Sequence, residues 1–146
     1  FAILENSIDG YDGDVSPITA YEILSHDGAA NLVDVRTSAE WAFVGVPDVS
    51  SLNHETKFIS WQIFPEMSLN ADFINMLEVA IPNKTPPVLF LCRSGARSAS
   101  AARIAKANGY EASLNIAGGF EGDANSEHHR GGVNGWKSDN LPWVQQ

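Results

Sequence analysis

Short apolar runs alternate along the chain with stretches whose apolar residues recur every three or four positions. The first pattern is that of a buried strand and the second that of an amphipathic helix. A short edge strand is expected near Val15. Ser16 and Pro17 then open a helix, serine as N-cap and proline in the first turn. Ala20, Ile23 and Leu24 mark its buried face, and Asp27-Gly28 closes it. Residues 31–35 are short and β-branched, a core strand. Thr37 and Glu40 have the spacing of a capping box, predicting a short helix to about Phe43, which Gly45, Pro47 and Asp48 break. Residues 58–63 return to strand character, with Trp61 as a bulky member and Pro65 as the stop. Phe73, Met76, Leu77 and Ala80 repeat at helical spacing and read as core packing. Residues 88–91 form a continuous apolar run after Pro86 and Pro87, the pattern of a parallel strand buried on both faces. An alanine-rich helix over 98–108 follows, with Gly109 as its cap, and then a strand over 112–116.

Strands that alternate with helices predict a parallel α/β sheet with helices on both faces. The chain divides into an arm over 1–14 and one domain over 15–146, interrupted by a polar, glycine-bearing insertion at about 121–134. Ligands of such sheets bind beyond the carboxyl ends of the strands, and Cys92 stands at such an end.

That position gives Cys92 its chemistry. Gly95 lets the chain turn sharply between strand and helix, so the loop amides converge near the sulfur, close to the positive end of a helix. Arg93 and Arg97 add two full charges. A free thiol titrates near ~8.5, and such surroundings favour the thiolate. The same cradle suits an anion or a negatively charged outer sulfur. Two arginines within five residues would be expensive to bury beside an inert structural thiol.

Composition narrows the partners. At 146 residues the chain is large enough for one well-formed core. Nine Lys/Arg stand against eighteen Asp/Glu, a net charge of −9, which argues against nucleic acid as a partner and makes the loop arginines a local exception. No apolar run is long enough to span a bilayer, and no membrane partner is expected. One cysteine excludes an intramolecular disulfide and suits a reducing, cytoplasmic setting. Phe1 is not an initiator residue, which leaves room for a leader upstream.

Other chemistries fit less well. His128 and His129 are adjacent, a poor arrangement for aiming two rings at one ion, and no third ligand falls at a recognisable spacing; no metal and no cofactor are expected. His26 and His54 are isolated. A Cys–His protease pair would leave the loop arginines without a role, and neither a Walker loop nor a dinucleotide fingerprint is present. Two reactions use a cysteine nested in amides beside an arginine: phosphoester hydrolysis and sulfane-sulfur transfer. Four residues separate Cys92 from Arg97, one fewer than in cysteine-dependent phosphatases. The smaller ring suits a single sulfur better than a tetrahedral phosphate.

The loop Cys92-Arg93-Ser94-Gly95-Ala96-Arg97-Ser98 resembles the active-site signature of the single-domain rhodaneses, a family of sulfurtransferases. Asp34-Val35-Arg36 followed by Glu40-Trp41 is similar to the family's Asp-Val-Arg strand and next helix, and Gly118-Gly119, Trp136 and Leu141-Pro142 to its closing segment. The resemblance implies a five-stranded parallel sheet flanked by helices on both faces. It implies Cys92 as nucleophile, cycling between thiol and persulfide, with the backbone of Arg93, Ser94, Gly95, Ala96, Arg97 and Ser98 stabilising the persulfide. Arg93 and Arg97 would orient an anionic donor such as thiosulfate, and cyanide, a thiol or a protein cysteine would accept the sulfur. Asp34, Arg36 and Glu40 are expected to be framework, with Arg36 pairing to a carboxylate such as Glu40. Two departures stand out: Gly45-Val46-Pro47-Asp48-Val49 replaces the family's Gly-His-Ile-Pro-Gly-Ala, and the insertion separates Gly-Gly from Gly-Trp. The insertion leaves a strand's carboxyl end, so it is expected over the Cys92 pocket. A cysteine-dependent phosphatase and a non-catalytic rhodanese-like binding module are the alternatives.

Overall fold

The computed structural model of the chain describes residues 10–145. Its centre is a five-stranded, wholly parallel sheet in the order β1-β8-β7-β2-β4. The strands are β1 (Asp14–Val15), β2 (Asn31–Asp34), β4 (Lys57–Phe58), β7 (Val88–Leu91) and β8 (Ser113–Ile116). The helices are α1 (Pro17–His26), α2 (Ser38–Val44), α3 (Phe73–Ala80) and α4 (Ala96–Ala107). Two antiparallel ribbons complete the fold: β3 (Val46–Pro47) with β9 (Trp143–Val144), and β5 (Gln62–Ile63) with β6 (Ser68–Leu69).

Alternation along β7 builds both cores. Successive side chains of a strand point to opposite faces. Val88 and Phe90 therefore pack with Phe73 and Leu77 of α3 and Ala101, Ala102 and Ala105 of α4. Leu89 and Leu91 pack with Ala20, Ile23 and Leu24 of α1 and with Phe120 and Trp136. All four β7 residues are fully buried, as their continuous apolar run predicts. Cys92 continues the alternation onto the α4 side. Because β7 is the middle strand, its carboxyl end opens between two neighbours rather than at an edge.

The helix starts follow their caps. Ser16 accepts a hydrogen bond from Thr19 N, and the Thr37–Glu40 capping box is complete. Three expectations need correction. The single strand expected over 58–63 is two pieces, because Asp34 O and Val35 O take Ile59 N and Trp61 N while Gln62 and Ile63 turn away into the β5–β6 ribbon. Within α3 only Phe73 and Leu77 are buried, and Met76 and Ala80 face outward, since an eight-residue helix against one sheet face presents a narrow buried stripe. The helix after the loop starts at Ala96, not at 98, capped by Gly95 at φ 117°; Arg97 and Ser98 thus lie in its first turn. The start of the expected arm, residues 1–9, lies outside the described residues. From Tyr11 on, the chain is anchored: Tyr11 is buried, and Asp12 N donates to Ser113 O at 2.9 Å.

Candidate active site

Cys92 is 1% exposed at the end of β7 and opens onto a pocket of about 340 Å³ lined by Glu40, Gln62, Met67, Arg93, Ser94, Ala96 and Arg97. Its Sγ accepts a hydrogen bond from Gly95 N at 3.1 Å and lies 3.2 Å from Ser98 Oγ. Of the amides expected to cradle the sulfur, Gly95 is the one in hydrogen-bonding position among the described residues. The α4 N-terminus directs its partial positive charge to the same place.

The two loop arginines differ. Arg93 is exposed and makes no hydrogen bond or ion pair through its side chain among the described residues. Arg97 forms a bidentate bridge to Glu40, at 2.6 and 2.9 Å. Burial works against the Glu40 carboxylate, but the hydrogen bond and charge of Arg97, with help from Thr37 N, outweigh it and hold the carboxyl below its ordinary value of 4.5. The bridge contributes fully above pH 4.5 and is lost only as the pH falls through the lower folded-state value. Burial also disfavours the Arg97 cation, yet Glu40 first and the Cys92 sulfur second keep it more firmly protonated.

Arg36 does not pair with Glu40. Both residues of the Arg36–Asp34 pair are buried, with Nη2 2.7 Å from Asp34 Oδ2, and Nη2 also donates to Gly45 O at 2.8 Å. The guanidinium lies 4.3 Å from the Phe120 ring centroid. This pair ties β2 to the chain after α2, and Glu40 is left free to engage Arg97.

The closing segment shapes the loop from behind. Phe120 N donates to Cys92 O at 2.8 Å, and Glu121 N and Gly122 N both donate to Arg93 O at 3.0 Å. Residues 121–134 fold back on themselves through Gly131 N to Glu121 O, Asp123 N to Asn134 Oδ1 and Arg130 Nη1 to Gly122 O. The insertion does not cover the Cys92 pocket. It lines an adjoining cleft of about 610 Å³ with Arg93, Glu40 and Val44, into which Glu121, His128, His129 and Arg130 face. The wall of the Cys92 pocket comes instead from Gln62 and Met67 of the β5–β6 ribbon. No sequence signal marks those two. No group of three or more His, Cys, Asp or Glu side chains among the described residues is placed to hold a metal ion.

One more residue escapes motif reading. Asn115 of β8, 5% exposed, has Oδ1 2.5 Å from Ser98 Oγ and donates through Nδ2 to Asp14 Oδ1 at 2.9 Å. Its signal was a polar residue inside an otherwise buried strand, where an amide must find partners.

A family model described as the STR4 middle domain matches residues 12–146. Protein RC0915 of Rickettsia conorii is 41% identical over 125 residues, 85% of this chain and 90% of that protein. The crystal structure of Rv0390 from M. tuberculosis is 43% identical, covers 93% of this chain and 99% of its own, and superposes with a TM-score of 0.85. At lower identity the fold alone is shared. The polysulfide-sulfur transferase of Wolinella succinogenes matches at 22% identity over 94% of this chain and 80% of its own, TM-score 0.64. A rhodanese-like domain protein of Staphylococcus aureus matches at 23% over 73% and 85%, TM-score 0.50. The chain therefore belongs to the STR4 middle-domain family and has a rhodanese-like fold.

Proposed function

We propose that the protein is a sulfurtransferase whose Cys92 takes sulfane sulfur from a small anionic donor such as thiosulfate and passes it to a thiophilic acceptor. The observation that carries this reading is the setting of Cys92: a sulfur at the end of the central strand, hydrogen-bonded to Gly95 N, in a pocket flanked by Arg93 and Arg97. The Cys92 thiolate attacks the outer sulfur of thiosulfate; the sulfur–sulfur bond of the donor breaks and sulfite leaves with its electron pair. An acceptor such as cyanide, a thiol or a protein cysteine then attacks the outer sulfur, and the pair of the Cys92 S–S bond returns to the cysteine. No external oxidant or reductant is consumed. Brief exposure to thiosulfate is expected to add the mass of one sulfur atom to the intact protein. No added mass with any sulfane donor, or aryl-phosphate turnover at a comparable rate, would overturn the reading.

Arg93 supplies the unpaired charge for the donor, whereas Arg97 shares its charge with Glu40. Glu40→Gln is therefore expected to lower the thiosulfate KM severalfold with little change in kcat, because it frees Arg97 and leaves a side chain that still caps α2. An unchanged or higher KM in steady-state assays would show that Arg97 plays no part in donor binding.

The insertion serves the acceptor. Its cleft is too large for thiosulfate alone, meets the Cys92 pocket at Arg93 and Glu40, and presents Arg93, Arg130 and two imidazoles on an acidic chain. Replacing His128 and His129 together by alanine is expected to leave loading by thiosulfate unchanged. Transfer to a carboxylate-bearing thiol such as glutathione should slow relative to cysteamine, which has no carboxylate. Equal effects on both thiols would remove the insertion from acceptor selection.

A further inference from the structure

Ser98 has one hydroxyl proton and three acceptors within reach: Cys92 Sγ at 3.2 Å, Gly95 O at 3.2 Å and Asn115 Oδ1 at 2.5 Å. The shortest contact is to Asn115. The Asn115 amide is held in that orientation from behind, since Nδ2 donates to Asp14 Oδ1 and a carboxylate can only accept. Tyr11 donates to the same Asp14 oxygen at 2.7 Å. Ser98 is fully buried and Asn115 nearly so, so water does not stand in for a missing partner there. Among the described residues Ser98 is the only donor to Asn115 Oδ1.

We propose that Asn115 competes with Cys92 for the Ser98 proton and thereby sets how readily Cys92 becomes a thiolate. With the serine proton on Asn115, the Ser98 oxygen offers a lone pair to the sulfur and receives the S–H of the thiol. To stabilise a thiolate, Ser98 must turn its proton to Sγ and leave Asn115 Oδ1 bare in a buried site. Asn115 is thus a positioning residue that acts through Ser98, and Asp14 acts one step further back by fixing the amide. The other charged or titratable groups around the sulfur are Arg93 and Arg97 of the loop and α4, Glu40 of α2, the Asp34–Arg36 pair at β2, Tyr11, and Glu121 of the adjoining cleft. None of them touches the Ser98 hydroxyl. In the sulfur-loaded protein the inner sulfur carries no proton and Ser98 keeps its bond to Asn115. If the sulfurtransferase reading holds, the network then favours the loaded state and slows discharge, in which Cys92 leaves as thiolate.

The test does not depend on sulfur transfer, so its failure is distinct from failure of the proposed function. Cys92 is the chain's one cysteine, and its alkylation by iodoacetamide is followed against pH. Asn115→Ala removes the competing acceptor. Asp14→Ala removes the acceptor that fixes the amide, so the amide can turn and present its N–H₂ group to Ser98, and it covers the case in which the core substitution fails to fold. Each is expected to move the alkylation midpoint down by about one pH unit, the size of one hydrogen bond to a charged group. Neither should move it in a Ser98→Ala background. Shifts of equal size in that background, an upward shift, or no shift in a folded variant would overturn the proposal. A field effect from removing the Asp14 charge survives loss of Ser98, which is how the two causes separate.

Discussion

Replacing Cys92 with serine is expected to leave the fold intact and to abolish sulfur loading completely. Serine differs from cysteine by one atom, fits the same buried site and still accepts the hydrogen bond from Gly95 N, so stability should fall by no more than about 1–2 kcal/mol. The nucleophile is lost because a hydroxyl is far less acidic and less nucleophilic than a thiol. A hydroxyl also cannot form the sulfur–sulfur bond in which the transferred atom is held. Intact mass after thiosulfate should show no added sulfur, and thiosulfate:cyanide turnover should fall to the uncatalysed level. Since no second cysteine exists to take over, any residual loading would sink the persulfide mechanism outright.

Gly119→Ala is expected to be nearly as damaging to loading and far more damaging to stability. Gly119 sits at φ 61°, and a Cβ there would meet Arg93 C and O at 2.6 Å, with Cys92 O nearer still. These are backbone atoms of the Cys92 loop, so they cannot move without carrying the loop with them. The backbone conformation alone costs a non-glycine residue roughly 1–2 kcal/mol, and the clash adds to it. Phe120 N would lose Cys92 O, and Glu121 N and Gly122 N would lose Arg93 O, the three bonds that hold the loop from behind. A large drop in Tm together with loss of the persulfide mass is the expected result. Gly28→Ala is the control: nothing lies within 4 Å of a Cβ at that position, and its φ is not in the left-handed region. Equal behaviour of the two variants would mean that close approach behind the loop is unimportant.

The caps and buried runs were legible in the sequence because they rest on neighbours in the chain. Ser16, the Thr37–Glu40 box and the β7 run all took the expected form. The same held for the turn at Gly95. Reading failed where partners lie far apart. Glu40 fits a capping box and a long-range ion pair equally well, and only packing shows that it does both, with Arg97 57 residues away. Arg36 then turns to Asp34, two residues back, because both side chains are enclosed between β2 and Phe120. Residues 58–63 carry a strand pattern, but only Lys57 and Phe58 pair in register with the sheet edge.

By itself the sequence determined the alternating α/β order, the place of Cys92 at a strand end, and the small positive loop around it. All of these follow from short-range rules: periodicity, caps and turn geometry. Tertiary structure alone decided which loop arginine keeps an unpaired charge, which elements wall the pocket, and that the insertion lines a neighbouring cleft instead of covering the sulfur. It also brought Asn115 and Asp14 behind Ser98, across β8 and β1. Such pairings depend on which strands become neighbours, and a chain's local pattern does not encode that.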